Sequence, residues 1–186
     1  MRGFFLGLCF FLFTGVLQAA PLKLPAGLDP ENTLVLTLKD GQVLIKLRPD
    51  LAPKHVAQVK KLTRLNFYNG ILFHRVIEGF MAQTGDPTGT GEGGSDLPDI
   101  TAEFSKESFK RGTLGMARTE DPNSANSQWF ICFADTPALN GKYTVLGEVT
   151  QGMEAVDKIK RGQGQMGLVP KPQDKIISLQ VAADIK

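Results

Sequence analysis

FHRVIEGFMAQTGD, residues Phe73–Asp86, joins two strand-like runs through a single glycine and places an arginine in the first run and a glutamine in the second. If Glu78-Gly79-Phe80 is a three-residue connection, residues 71–77 and 81–85 pair as a hairpin. Arg75 then stands opposite Gln83 and Ile77 opposite Met81, all four on one face because strand side chains alternate with period two. A two-residue loop would set Arg75 against Ala82 instead. Taken alone, an arginine in such a strand reads as an outward-facing surface residue, so its meaning depends on what else reaches that face.

Two further stretches supply candidates. In SANSQWFICF, residues 124–133, Gln128 and Phe130 share one strand face, while Trp129 alternates onto the other. In ALNGKYTVLGEV, residues 138–149, Leu139 lies beside a turn.

Around these stretches the chain reads as many short strands between Gly, Pro, Asn and Asp punctuation. TLVLTL (residues 33–38) and VLIKL (43–47) flank Lys39-Asp40-Gly41-Gln42, a turn sequence for a first hairpin. Further strands are expected at 71–76, 80–84, 113–116, 128–133, 144–149 and 176–181. Residues 53–65, PKHVAQVKKLTRL, form an amphipathic helix with Val56, Val59, Leu62 and Leu65 on its apolar side, Asp50 as its cap and His55 on its solvated side. A second helix is expected over 152–160, from Met153, Val156 and Ile159. Strands in this number with two isolated helices give a mainly β fold: an antiparallel barrel, closed or nearly so and capped by helices, without βαβ alternation.

Composition removes several functions. With 21 Lys and Arg against 19 Asp and Glu in 186 residues, no basic footprint for nucleic acid or anionic membrane emerges. Two histidines, His55 and His74, and two cysteines leave no metal-ligand set. His74 neighbours Arg75 and so points to the opposite face. GTGEGG, residues 89–94, lacks the Lys-Ser/Thr ending of a phosphate loop, and no GxSxG elbow for a serine nucleophile is present. Long glycine-rich loops at 86–96, 118–127 and 161–174 are where a site on a rigid sheet is expected, although residues 162–167 give no pattern that places them.

The start, MRGFFLGLCFFLFTGVLQAAP, has a positive Arg2, an uncharged run from Gly3 to Leu17 and small residues at Ala19 and Ala20, the pattern of a secretory signal. Its apolar run is short of the roughly 20 residues of a membrane span. Residues 1–19 are therefore expected to be cleaved, with an uncleaved N-terminal anchor as the alternative; cleavage leaves residues 20–186 as one domain with net charge +1 once Arg2 is removed from the formal +2. Cys9 leaves with the signal, and Cys132, inside FICF, is expected as core packing. No Asn-x-Ser/Thr acceptor occurs. A periplasmic or secreted protein, not stably membrane-bound after cleavage and monomeric, is the expectation.

FHRVIEGFMAQTGD, GTGEGG, GTLGMAR, NSQWFICF and LNGKYTVLGEV, in this order, closely resemble the cyclophilin peptidyl-prolyl isomerases from about Thr33 to Ala183. The resemblance implies a closed eight-stranded antiparallel barrel capped by two α-helices, with a proline-binding groove on its outer surface and no cofactor. It matches Arg75 to the family's catalytic arginine and Gln83 to the glutamine that buttresses it. Phe80, Met81, Phe130 and Leu139 match pocket walls, Gln128 a groove glutamine, and Gly89 and Ala117 small groove residues. Arg118 occupies a position that commonly carries asparagine and acts through its main chain. Tyr143 stands where a histidine is frequent. Ala138 stands where the best-known members carry tryptophan, which removes the expectation of tight cyclosporin binding. The resemblance implies an enzyme that isomerises X-Pro bonds in proline-containing polypeptides, and the signal-like start makes unfolded exported proteins the expected substrates. The rival readings are a non-catalytic proline-segment-binding chaperone or scaffold, and a carbohydrate- or surface-binding β-barrel, for which one Trp and two Tyr make a poor stacking platform.

Overall fold

The computed structural model describes residues 24–186; the expected signal at 1–19 lies outside the described residues. Eight antiparallel strands form one sheet: β1 (Thr33–Leu38), β2 (Gly41–Leu47), β3 (Arg75–Ile77), β4 (Met81–Thr84), β5 (Thr113–Met116), β6 (Trp129–Cys132), β7 (Val145–Gln151) and β8 (Ser178–Val181). Their order across the sheet is β3-β4-β6-β5-β7-β2-β1-β8. The sheet curls until the segments preceding its two edge strands meet. Phe73 N donates to Asp174 O at 2.9 Å, Ile176 N donates to Ile71 O at 2.9 Å, and Leu72 bridges Lys175. Closure of the expected barrel is thus made by a short bridge between loop segments, while β3 and β8 themselves share no ladder.

The β1–β2 hairpin turns more tightly than its sequence suggests. Leu38 pairs with Gly41, so Lys39-Asp40 is the whole turn and Gly41 already belongs to β2. The β3–β4 hairpin has the three-residue connection 78–80, with Arg75 opposite Gln83 and Ile77 opposite Met81.

Period-two alternation explains how one run of residues serves two clusters. From β4 and β6, Ala82, Trp129 and Ile131 face the barrel interior, joining Leu34, Leu36, Ile45, Phe73, Leu114 and Leu146. Their neighbours Met81, Phe130 and Cys132 face outward and form a second cluster with Phe109 and Val145, against which Phe80, Leu139 and Tyr143 pack. Both faces of these strands are buried, which is why WFIC is apolar throughout instead of alternating with polar residues. Trp129 faces inward, edge-on to Tyr68 and Phe73.

Helix α1 (Pro53–Arg64) closes one end, burying Val56, Val59 and Leu62. Three details differ from expectation. His55 is fully buried, because it lies at i, i+4 and i+7 with Val59 and Leu62 and so shares their stripe. Leu65, just past the last helical residue, is 65% exposed. Asp50 does not cap the helix; its carboxylate is engaged by Arg48, and Ala52 at the cap position offers no side-chain acceptor. Glu103 takes that role from across the fold, accepting from the backbone N–H of Lys54 at 3.1 Å and of His55 at 3.1 Å and from His55 Nδ1 at 2.6 Å. The second helix, α2, is shorter than its sequence pattern and spans only Met153–Val156. Beyond it, Asp157 is drawn into a paired contact with Arg111, and Lys160 N donates to Asp174.

Candidate active site

The outward cluster forms the floor of a cavity of about 420 Å³. Met81 and Phe130 stand on adjacent strands, with Gln83 paired to Phe130 across the β4–β6 ladder. Phe80 ends the β3–β4 turn. Leu139 closes a short 3₁₀ turn, Pro137–Leu139, whose N–H groups return to Thr136 and Pro137 carbonyls. Tyr143 packs edge-on to Phe130 with ring centroids 6.0 Å apart. Gly115 pairs with Phe130 from β5, and a Cβ there would come within 2.5 Å of Phe130 Cζ and 2.6 Å of Phe109 Cε1. The absence of a side chain at 115 therefore lets the Phe130 ring lie flat on the sheet, stacked on Phe109 at 6.0 Å.

Arg75 rises on one side of this floor. Its Nε donates to Met166 O at 3.0 Å and its Nη1 to Gln83 Oε1 at 3.2 Å. Gln83 Nε2 donates to Gln128 Oε1 at 2.9 Å, and Gln128 Nε2 donates to the carbonyls of Gly91 at 2.9 Å and Gly93 at 2.8 Å. The chain has one direction: each amide oxygen accepts and each amide nitrogen donates, so both glutamines are held in a single orientation. A guanidinium carries five N–H donors. Two are engaged, which leaves three for a ligand. No carboxylate among the described residues lies within ion-pair distance of Arg75. Partial burial pulls its pKa down, opposed by Tyr143, but arginine starts so high that it stays charged at any working pH.

The loop that accepts from Gln128 is organised around Asp86. Its carboxylate accepts from Thr88 N at 2.7 Å, Thr88 Oγ1 at 2.8 Å and Gly91 N at 2.6 Å. Burial raises this carboxyl's pKa, and the hydrogen bonds from Thr88 and the loop amides outweigh burial, holding it at about 2. A loop wrapped on its own buried anion is a poor host for phosphate. No group of three His, Cys, Asp or Glu side chains is placed to hold a metal among the described residues. Cys132 is buried and its thiol pKa is pushed up to about 11, so it is not a nucleophile.

The structure brings together Arg75, Phe80, Met81, Gln83, Ala117, Arg118, Phe130, Leu139 and Tyr143 on one cavity. Gln128 lines an adjoining polar cavity of about 510 Å³, which shares Gln83, Ala117 and Arg118 with the first. Gly89 reaches neither cavity and packs toward Leu72 instead. Arg118 acts through its side chain as well: it donates to the carbonyls of Thr119 and Lys142 and lies 4.5 Å over the Tyr143 ring. His74, expected to face away from Arg75, is buried yet still reaches the cavity lining. Sequence reasoning missed Met166, Leu168 and residues 90–92. Met166 and Gly91 contribute main-chain carbonyls, which leave no mark in residue identity.

The sequence matches the family described as cyclophilin type peptidyl-prolyl cis-trans isomerase/CLD over residues 33–181. A Brucella suis protein named probable peptidyl-prolyl cis-trans isomerase is 57% identical over 182 residues, 91% of this chain and 92% of that protein. Human peptidyl-prolyl cis-trans isomerase-like 3 is 40% identical over 126 residues, 65% of this chain and 77% of its own. Among solved structures, cyclophilin AquaCyp293 from Hirschia baltica superposes with a TM-score of 0.75 at 27% identity, covering 86% of this chain and 77% of that one. A Cryptosporidium parvum cyclophilin type peptidyl-prolyl cis-trans isomerase, crystallised in the presence of the dipeptide Ala-Pro, gives 0.74 at 28% identity, covering 80% and 98%.

Proposed function

The chain belongs to the cyclophilin-type peptidyl-prolyl cis-trans isomerases, and from that premise we propose that Arg75 is its catalytic electrophile and that its substrates are exported polypeptides. Rotation about an X-Pro bond faces a barrier of about 18–20 kcal/mol because amide resonance is broken. As the bond twists, the prolyl nitrogen recovers a lone pair and becomes a stronger hydrogen-bond acceptor. A donor aimed at that nitrogen stabilises the twisted state more than either planar state, which is the condition for raising kcat. Arg75 offers such donors beside an apolar slot. Phe80, Met81, Phe130 and Leu139 hold the pyrrolidine ring by burial, and their low-dielectric walls strengthen the guanidinium's effect. Each tenfold of rate requires about 1.4 kcal/mol, so a fixed charged donor and an apolar seat suffice for several decades without proton transfer or a covalent intermediate.

The observation that carries this reading is a guanidinium with no ion-pair partner among the described residues, anchored through Nε and one Nη1 proton on the wall of an apolar cavity. A groove that only gripped proline would not need it. Isomerisation of an Ala-Pro peptide, followed by exchange spectroscopy, tests the reading. Arg75→Ala should lower kcat/KM by about a hundredfold or more with an unchanged circular dichroism spectrum. Equal rates no faster than the uncatalysed reaction would leave the non-catalytic chaperone or scaffold in its place, and equal accelerated rates would remove Arg75 from the mechanism.

Export rests on residues 1–19, with cleavage after Ala19. In a periplasmic or extracellular setting, newly translocated chains meet uncatalysed proline isomerisation that takes tens to hundreds of seconds. A monomeric enzyme free of the membrane suits such clients. N-terminal sequencing of the protein recovered from the exported fraction should begin at Ala20, and recovery only from the cytosol with Met1 intact would refute it.

A further inference from the structure

The glycine-rich stretch RGQGQMGL, residues 161–168, has a built conformation at the edge of β3. Gly162 N donates to Val76 O at 2.9 Å, Val76 N donates to Gly167 O at 2.7 Å, and Gln163 N donates to Leu168 O at 2.9 Å. Gly167 N turns back on Gly164 O at 3.2 Å, which makes a small hairpin laid along the edge strand with Leu168 bridging Arg75. Two glycines permit this closeness. A Cβ on Gly162 would sit 1.8 Å from Gly167 O, and one on Gly167, at φ +67°, would sit 2.3 Å from Ile77 Cγ1. Arg161 fixes the root: its guanidinium pairs with Glu78, donates to Ile159 O at 2.6 Å and lies 4.1 Å over the Phe133 ring.

A hairpin fixed this firmly nevertheless leaves two large apolar side chains in water. Met166 is 65% exposed and Leu168 56% exposed. Scattered exposed apolar residues need no explanation. These two, however, line the same cavity as Arg75 and Phe80, and the carbonyl of Met166 is the acceptor that holds Arg75 Nε. The opposite flank of the slot opens into the cavity of Gln83, Ser95, Asn126 and Gln128, which is polar. A peptide with its proline in the slot therefore meets an apolar wall on one side and a polar recess on the other.

We propose that the 161–168 hairpin is a substrate-selecting wall: Met166 and Leu168 seat a large apolar side chain adjacent to the proline, so peptides carrying one are isomerised preferentially. The proposal rests on the isomerase reading above. Burial of a leucine-sized side chain against this wall is enough for roughly tenfold discrimination over serine. Methionine's flexible thioether chain adapts to different shapes, so the preference is for a class, Leu, Met or Phe, and not for one residue.

The test compares kcat/KM by exchange spectroscopy for Xaa-Pro-Ala and Ala-Pro-Xaa peptides with Xaa as Leu, Phe, Ser or Lys. Wild type should favour Leu and Phe over Ser by about tenfold at one of the two positions. In Met166→Ala/Leu168→Ala that ratio should fall to about two or less; a ratio taken within one protein is insensitive to any general loss of activity. Gly167→Ala, which displaces the hairpin while keeping both side chains, should lower the ratio as well. Isomerisation by wild type at equal rates whatever Xaa is would overturn the wall alone, as would a double variant that keeps the wild-type ratio. No isomerisation of any peptide by wild type would remove the isomerase reading and the wall together.

Discussion

Arg75 and Gln83 face each other directly across the β3–β4 hairpin, and Nη1 of the first donates to Oε1 of the second at 3.2 Å. The glutamine is itself held by Gln128, so the guanidinium's plane is set by a chain that ends in the Gly91 and Gly93 carbonyls. Gln83→Ala removes a hydrogen bond to a charged group and unties that chain. The expected result is a fall of about tenfold to a hundredfold in kcat/KM, corresponding to roughly 1.5–3 kcal/mol, with KM little changed. An equal loss confined to KM would show that Gln83 serves binding instead of orientation.

Arg75→Lys separates direction from charge. Lysine keeps the positive charge but replaces a planar fork by one compact ammonium, which cannot hold Met166 O and Gln83 Oε1 while presenting further donors at fixed angles. The lysine variant should retain less than about a tenth of wild-type kcat/KM in the exchange assay. Near-wild-type activity would mean that field strength alone suffices.

Gly115 tests the pocket floor from beneath. An added methyl meets Phe130 Cζ at 2.5 Å and Phe109 Cε1 at 2.6 Å, distances no relaxed structure tolerates, and of the two rings Phe130 is the one bordering the cavity. Gly115→Ala should destabilise the protein by about 1–3 kcal/mol in urea titration. It should also raise KM several-fold as Phe130 is driven into the proline slot. A stability loss with an unchanged KM would show the strain absorbed by Phe109 alone.

The outward cluster was legible in the sequence wherever period two governs. Arg75, Gln83 and Met81 come from one hairpin, and Phe130 is placed opposite to Trp129 by alternation alone. What escaped reading has a common physical character. Glu103 caps α1 from 49 residues away, so no local S/T/D/N signal exists at Ala52. The Met166, Gly91 and Gly93 carbonyls are backbone atoms, which every residue carries. The family resemblance speaks only to the main chain of Arg118, whereas its stacking on Tyr143 depends on a loop of irregular backbone. His55 differs in kind: its polarity alone suggests the solvated side, but its spacing with Val59 and Leu62 puts it in the apolar stripe, and the period wins.

That buried histidine gives the protein a pH dependence whose sign follows from linkage. Burial lowers the pKa of His55 from its ordinary 6.5, more than Glu103 raises it; burial likewise lowers His74, against Asp86. In the window below 6.5 the unfolded chain therefore binds protons that the folded chain refuses, so stability is full above that value and declines as pH falls through it. A second decline follows below the ordinary 4.5 of Glu103, whose pKa burial raises but hydrogen bonds from His55 and the Lys54 amide lower by more. Urea midpoints at pH 7.5, 6.0 and 4.0 should fall in that order. Glu103→Ala should cost about 2 kcal/mol or more at pH 7.5, since it uncaps α1 and leaves the His55 ring nitrogen without its acceptor. Glu103→Gln, which keeps an oxygen acceptor, should cost less and abolish its share of the decline below 4.5. Midpoints that stay level from pH 7.5 to 6.0 would show that His55 and His74 titrate alike in the folded and unfolded chains.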